Sequence, residues 1–350
     1  MARRREGEVR ATDASVAGAR RSASRPRRDA DEGASTIRIG TRGSELALRQ
    51  ARLVDDALAA RGVTAELKVF KTTGDKRLDE PLSAIGAKGL FTKELEQALA
   101  RGKVDCCVHS LKDLPTESPE GLEIIACLPR EDPRDALVVN HLILAESLAE
   151  LPRGSRVGTS SLRRRAQLLA TRDDLEVVEL RGNVPTRLKK VDEGRVHAAV
   201  LAAAGLHRLG ARSRIAAYLD APAWLPAAGQ GAIAVQIRAD DDRARSLLGA
   251  LNHAPTMLAV RAERALLAAL QGGCQVPIGA LLMRDGDAHV LHALISDLAG
   301  RQVVRGEHRV DPEDPEAAGE RLAHMLRLRG GEKIMEVLRE ASELPAPQPE

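Results

Sequence analysis

Aromatic side chains are nearly missing from this 350-residue chain, which has only Phe70, Phe91, Tyr218 and Trp224. Single-stranded nucleic acid is held by stacking its bases on aromatic rings, so that class of partner is excluded. Cysteine is scarce as well, with Cys106, Cys107, Cys127 and Cys274 alone. Four thiols make no disulfide framework at this length, and a reducing compartment, the cytoplasm, is expected. No apolar run reaches the ~20 residues of a membrane span, and no secretory apolar segment is present, so no membrane role is expected. Net charge is also nearly absent. The formal +3 resides in residues 1–34, which hold nine Arg and six acids. The rest carries 44 basic and 44 acidic side chains, which gives no field for gathering DNA. Residues 1–34 are rich in Arg, Ala and Ser without apolar periodicity and read as a disordered extension.

The sequence does have length, 43% hydrophobic residues, and a repeated plan. This much chain buries more than one core. From Thr36 onward, short Val, Ile and Ala runs alternate with helical patterns, which predicts α/β layers with largely parallel strands. Ile37-Arg38-Ile39-Gly40-Thr41-Arg42-Gly43-Ser44 reads as a strand, a tight turn and a serine cap. It opens a helix whose apolar positions are Leu46, Leu53, Val54 and Leu58. Arg156-Val157-Gly158-Thr159-Ser160-Ser161-Leu162-Arg163-Arg164 repeats that plan. A second echo pairs Gly102-Lys103-Val104-Asp105-Cys106-Cys107-Val108 with Gly194-Arg195-Val196-His197-Ala198-Ala199-Val200. Two related lobes are therefore expected. Pro-flanked charged residues at 129–134 suit a crossing between lobes, and 225–231 suit the return. The strand at 232–237 would then rejoin the first lobe. Beyond Ala254 the pattern predicts a helix at 256–270, a strand at 288–295 and a final amphipathic helix at 315–340. The domains are placed at 35–128 with 231–250, at 134–225 and at 254–342.

Several residues carry chemistry. A strand, Gly-Thr-Ser and a helix start present backbone N–H groups and hydroxyls to an anion, and Thr159, Ser160 and Ser161 supply them. Arg163, Arg164 and Arg165, then Arg181, Arg187 and Arg208, fall near strand ends or helix starts of one lobe. Arginine forks grip carboxylates bidentately, so the cluster suits a substrate bearing several of them, although helix arginines also commonly form a solvated face. Ser110, Lys112 and Asp113 follow a buried strand, where open α/β sheets place ligands. Asp113 could stabilise a cation or cap a turn, and Lys112 could meet a carboxylate. Lys88 and Phe91 sit on a Gly-bearing loop suited to a lid. Cys106 and Cys107 read as core. Cys274, in Gly272-Gly273-Cys274-Gln275-Val276-Pro277, lies where no apolar strand would bury it, so its thiolate can react. No histidine neighbours it, and a cysteine hydrolase would lack its base. The fold alone would also allow a two-lobed anion-binding protein without catalysis, which has no use for Cys274.

From Thr36 to the last helix the chain resembles the porphobilinogen deaminases, also called hydroxymethylbilane synthases. Thr41-Arg42-Gly43-Ser44, Gly89-Leu90-Phe91, His109-Ser110-Leu111-Lys112-Asp113, Arg130-Glu131-Asp132-Pro133-Arg134-Asp135, Leu180-Arg181-Gly182-Asn183 and Gly229-Gln230-Gly231 stand in the family's order, as do the Thr159 and Cys274 stretches. The resemblance implies two lobes of periplasmic-binding-protein type (type II) joined by a hinge, plus a C-terminal α+β domain. In such enzymes a cysteine, here Cys274, holds a dipyrromethane cofactor by a thioether. Four porphobilinogen molecules lose ammonia, are added one by one, and leave as a linear tetrapyrrole. The resemblance further implies that Ser110, Lys112, Asp113, Thr159, Ser160, Ser161, Arg163, Arg164 and Arg187 meet the cofactor. Arg42, Ser44, Lys88, Phe91, Arg181, Arg208 and Gln230 would meet substrate, with Asp113, Arg42 and Arg181 catalytic. No metal is implied, and a monomer is expected. Glu45 and Pro185 depart from the family pattern, Pro185 at a helix start.

Overall fold

A computed structural model describes residues 36–72, 92–270 and 276–343, all within one compact unit, Thr36–Glu350. The expectation for residues 1–34 lies outside the described residues. Three sheets organise the remainder.

The chain opens with β1 (Ile37–Arg42), α1 (Glu45–Ala59), β2 (Ala65–Phe70), α2 (Lys93–Ala100), β3 (Cys106–Ser110) and β4 (Leu122–Cys127). Ser44 caps α1 by accepting from the Ala47 N–H at 3.3 Å, which satisfies a donor that the first turn leaves unpaired. Ala47, Ala51, Val54 and Leu58 are the apolar residues that α1 buries, at the spacing of one helix face. The predicted face is corrected at two places. Leu53 is 43% exposed, and Leu46 lines a cavity between the lobes instead of the core.

The second lobe holds β5 (Asp135–Val139), β6 (Arg156–Gly158), α3 (Leu162–Thr171), β7 (Glu176–Val178), α4 (Val184–Asp192), β8 (Ala198–Ala202), α5 (Ala203–Arg208) and β9 (Ala217–Leu219). The chain then returns through β10 (Ile233–Arg238) and α6 (Asp242–Gly249). The sheet orders are β2-β1-β3-β10-β4 and β7-β6-β8-β5-β9. They correspond strand for strand. Ile39 pairs with Cys106 and Gly40 with Cys107, as Val157 pairs with Ala198 and Gly158 with Ala199. The sequence echo therefore marks equivalent strands. The expectation of largely parallel strands needs amending, because β10 and β5, the strands arriving from the crossings, each run antiparallel to both neighbours. The architecture is thus two lobes of periplasmic-binding-protein type joined by two crossings.

The crossings touch each other. Glu131 donates its backbone N–H to the Gly231 carbonyl at 3.2 Å. At Gly231 φ is +88°, and a Cβ there would stand 2.3 Å from the Glu131 carbonyl oxygen. Only glycine fits that approach.

The third part comprises α7 (Ala254–Ala269), an antiparallel meander of β11 (Ile278–Asp285), β12 (Ala288–Ser296) and β13 (Val303–Val310), then α8 (Pro315–Leu326) and α9 (Glu332–Glu343). Leu266, Leu291, Ile295, Leu322, Leu326 and Met335 fill its core. The single final helix predicted at 315–340 is two helices. Gly330, at φ 111°, breaks it between Leu326 and Glu332.

Candidate functional site

Strand β3 ends at Ser110 and runs into a 3-10 turn, Leu111–Asp113, which Pro115 follows. Leu111 is buried beneath the turn, Asp113 is exposed, and Lys112 is partly exposed. The Lys112 ammonium donates to Gln230 Oε1 at 3.2 Å. Burial, with the Arg164 guanidinium nearby, pushes its pKa down to about 8. Ser110 and the buried Gln50 of α1 exchange side-chain hydrogen bonds of 2.8 and 3.1 Å.

Across the cleft, α3 begins at the Gly-Thr-Ser segment. Its hydroxyls are engaged locally. Ser161 accepts from the Arg164 N–H at 3.4 Å as the helix cap, Thr159 Oγ1 accepts from the Ser161 N–H at 3.2 Å, and Ser160 donates to the Leu180 carbonyl at 2.8 Å.

Arg163 and Arg164 are both bound to Asp135, at the start of β5. Arg163 Nη1 donates to Asp135 Oδ2 at 2.7 Å and to the Leu225 carbonyl at 2.7 Å. Arg164 donates Nε and Nη2 to Asp135 Oδ1, at 3.1 and 2.7 Å, and Nη1 to the Val200 carbonyl at 3.0 Å. Trp224 Nε1 and Gln230 Nε2 complete the shell of Asp135, each at 2.8 Å. Burial alone would raise the pKa of Asp135, but Arg163 and Arg164 outweigh it and hold the carboxyl well below the usual range. Burial also lowers the pKa of Arg163.

Arg181 and Arg187 are placed differently. Among the described residues, Arg181 Nη1 and Arg187 Nε are buried without a hydrogen-bond partner. Burial first, then the like charge of Arg164, pushes the Arg187 pKa down to about 10, with Asp113 acting the other way. Asn183 caps the helix between these two arginines, accepting from the Thr186 N–H at 2.9 Å. Pro185 sits in the first turn, where its missing N–H costs nothing, so this departure from the family pattern is accommodated. Arg208 donates to the Gly231 carbonyl at 2.7 Å, and burial lowers its pKa to about 10.

A cavity of about 80 Å³ between the lobes is lined by Ser110 and Lys112 from one side and by Arg164, Arg187 and Arg208 from the other. The fold thus gathers residues from β3, α3, α4 and α5. Arg163 does not line this cavity. Arg42 stands at the end of β1, close enough for its charge to act on His109. Ser44 caps α1, and Gln230 bridges Lys112, Arg164 and Asp135. Cys274, Lys88 and Phe91 lie outside the described residues. Cys106 and Cys107 are buried, as the core reading expects.

Two acids escaped the sequence reading. Asp135 is one. Glu263, on the buried face of α7, is the other. It receives Arg130 Nη1 and Nη2 at 2.6 and 3.0 Å, the Gly229 N–H at 2.7 Å and the Leu282 N–H at 3.0 Å. It thereby ties both crossings to the third part. Its sequence signal was a glutamate on the stripe made by Ala259, Ala262 and Leu266.

Comparison with known proteins gives two matches to family profiles. Residues 37–246 match one described as porphobilinogen deaminase, dipyromethane cofactor binding domain, and residues 257–327 match the porphobilinogen deaminase C-terminal domain. The porphobilinogen deaminase of Moorella thermoacetica is 52% identical over 308 residues, covering 87% of this chain and 97% of its own. That of Pelobacter propionicus is 49% identical over 303 residues, covering 86% and 96%. That of Syntrophobacter fumaroxidans is 47% identical over 308 residues, covering 86% and 97%. Among solved structures, the methionine binding protein MetQ aligns with a TM-score of 0.40 at 16% identity, over 62% of this chain and 89% of that one. The order of the strands, not this likeness, assigns the architecture.

Proposed function

The chain belongs to the porphobilinogen deaminase family, and from that membership we infer which of its residues carry the reaction. It is a transferase, a hydroxymethylbilane synthase of tetrapyrrole biosynthesis. Porphobilinogen units lose ammonia and join one after another onto a dipyrromethane primer, and water releases the four-ring chain.

The residues present fit such a primer, whose rings carry carboxylates and pyrrole N–H groups. Carboxylates call for guanidinium forks, and Arg181 and Arg187 each keep a buried nitrogen without a hydrogen-bond partner among the described residues. That is the observation on which the assignment rests most heavily. Pyrrole N–H groups call for an acceptor, and Asp113 is an exposed carboxylate beside Lys112. When bound through Cys274, the primer would supply the free pyrrole α-carbon for the first unit, and the terminal ring of the growing chain would supply it for each later one.

Lys112, Arg187 and Arg164, with Ser110, the Ser160 N–H and the hydroxyl hydrogens of Thr159 and Ser161, hold the primer's carboxylates. Arg163 acts as a positioning residue, keeping Asp135 and hence Arg164 in place. Arg42, Arg181 and Arg208, with Ser44, Gln230, Lys88 and Phe91, receive porphobilinogen. Asp113 accepts pyrrole N–H hydrogen bonds and stabilises the positive charge that grows as the C–N bond of the substrate breaks.

An interlobe cavity of about 80 Å³ is well below the ~300 Å³ at which ligand pockets begin. The bodies at 35–128 with 231–250, at 134–225 and at 254–342 therefore move apart at the crossings to admit the chain. No helix of the described residues is long and apolar enough to cross a membrane, and we assign the enzyme to the cytoplasm as a monomer.

Intact mass under reducing conditions tests the assignment. The wild-type chain should carry a stable adduct, and Cys274→Ser should not. An active preparation with the mass of the bare chain, or an adduct that persists in Cys274→Ser, would overturn it.

A further inference from the structure

Leu111 and Lys112 are consecutive, yet they line different cavities. Lys112 lines the interlobe cleft. Leu111 lines a second one, of about 340 Å³, between the first lobe and α7. Its walls are mostly apolar: Leu111 and Val260 are buried, and Ile124 and Met257 pack beside them. A volume above ~300 Å³ with apolar walls and few polar groups is the usual form of a small-molecule site.

Arg264 is the polar group that matters there. Its Nη2 donates to the Pro115 and Thr116 carbonyls at 2.7 and 2.9 Å, which fixes the fork at the cavity. Among the described residues no carboxylate pairs with it. Burial lowers its pKa, with only the Cys127 thiol acting the other way. At the rim, by contrast, Arg261 is matched by Glu316, with Nη2 and Oε2 at 2.7 Å. The cavity therefore holds one uncompensated cation in an apolar setting. One guanidinium suits a monoanion. A phosphate dianion would bring a second charge toward the Arg261–Glu316 pair, whose cation is already matched.

We propose that this cavity binds a small amphiphilic carboxylate, its ring or branched chain lying against Leu111, Ile124, Met257 and Val260 and its carboxylate on Arg264. The occupant lies under the turn that carries Lys112 and Asp113, and so reaches the catalytic groups from their far side without entering the arginine cleft.

Calorimetric titration of the full-length holoenzyme with 3-phenylpropionate tests the site. Saturable binding at one site per chain is expected. Arg264→Gln should weaken it at least roughly tenfold, since a charge-assisted pair is lost. The neutral 3-phenylpropionamide should bind the wild type weaker by a similar factor, a comparison that needs no variant. Ala268→Phe, at an exposed helix position on the cavity, should block binding, as should Ile124→Phe from the opposite wall. Arg187→Gln should leave it unchanged. Absence of saturable binding overturns the proposal, and so does equal affinity for acid and amide. Binding that survives both phenylalanine variants but is lost in Arg187→Gln would place the ligand in the arginine cleft and overturn it too. The readout is binding, so its failure leaves the assignment of Cys274 untouched.

Discussion

Replacing Asp135 by asparagine changes almost no volume, and it should nonetheless be among the most damaging substitutions in the second lobe. Five hydrogen bonds converge on the two oxygens of this carboxylate, from Arg163, Arg164 (twice), Trp224 and Gln230. The Arg163 and Arg164 side chains are each 6% exposed and that of Asp135 is 0% exposed, so water cannot replace a missing partner. Asparagine keeps one oxygen and turns an amide donor toward groups that are themselves donors. Two guanidinium charges also lose the only counter-ion that pairs with them among the described residues. Removing one partner of a buried pair costs about 3–5 kcal/mol, and stranded donors cost about 1–3 kcal/mol each with incomplete additivity. A loss of about 4 kcal/mol is expected, roughly a thousandfold in the unfolding constant. Urea unfolding at pH 7, read as a lowered midpoint at constant slope, measures it. The pH dependence has a definite sign. The folded carboxyl is held well below its unfolded value near 3.9, so its contribution is complete above about pH 5 and fades only as acid approaches the folded value. The gap between wild type and Asp135→Asn should therefore be flat from pH 5 to 8. A cost under about 1 kcal/mol, or a gap that closes between pH 8 and 6, would refute the reading of Asp135 as a buried counter-ion.

Asp113→Ala should lower kcat for porphobilinogen about 100-fold or more while the covalent adduct persists by mass; near-normal turnover removes Asp113 from the assigned role. Lys112, its pKa pushed down to about 8 by burial and then by Arg164, loses its charge as pH rises through 8. The primer's carboxylates then lose a partner, so kcat should fall above that pH, and Lys112→Arg should abolish the break. With the unfolded lysine near 10.4, the same depression predicts that the fold gains stability between about pH 8 and 10.4, measurable by unfolding at those two pH values. At Gly300, φ is +69° and an added Cβ would stand 2.2 Å from the Ala166 carbonyl oxygen of α3. Gly300→Ala should cost at least about 2 kcal/mol by clash and backbone strain, and differential scanning calorimetry showing an unchanged Tm would contradict that docking of the third part on α3.

The repeated strand, Gly-Thr and helix plan was legible because each lobe is built locally, from a strand, a capped helix and a parallel neighbour. The first crossing was legible as proline-flanked charge, and the return as the uncharged Pro- and Gly-bearing stretch at 225–231. What local pattern cannot give is the partner of a side chain. Apolar spacing on α1 marks a stripe without saying where its edges lie. Leu46 therefore turned out to face the other lobe, and Leu53 solvent. The helix predicted at 315–340 continued through Gly330 because the flanking periodicity on either side masks a single residue at positive φ.

The arginines show the limit most clearly. Arg163, Arg164, Arg181 and Arg187 look alike in sequence, four cations near helix starts of one lobe. Their chemistry divides on whether a carboxylate from elsewhere lies within reach. Asp135, 28 residues before Arg163, pairs with the first two, which makes Arg163 part of the frame and holds Arg164 in place at the cleft wall. Among the described residues no carboxylate satisfies the buried Arg181 and Arg187 nitrogens. The same test separates Arg130, bound by Glu263, from Arg264, which no acid among the described residues pairs. In a chain whose residues 35–350 hold equal numbers of acids and bases, acids buried with some arginines leave others in deficit. Those deficits, more than the positions of the arginines, mark where this protein can take up anions.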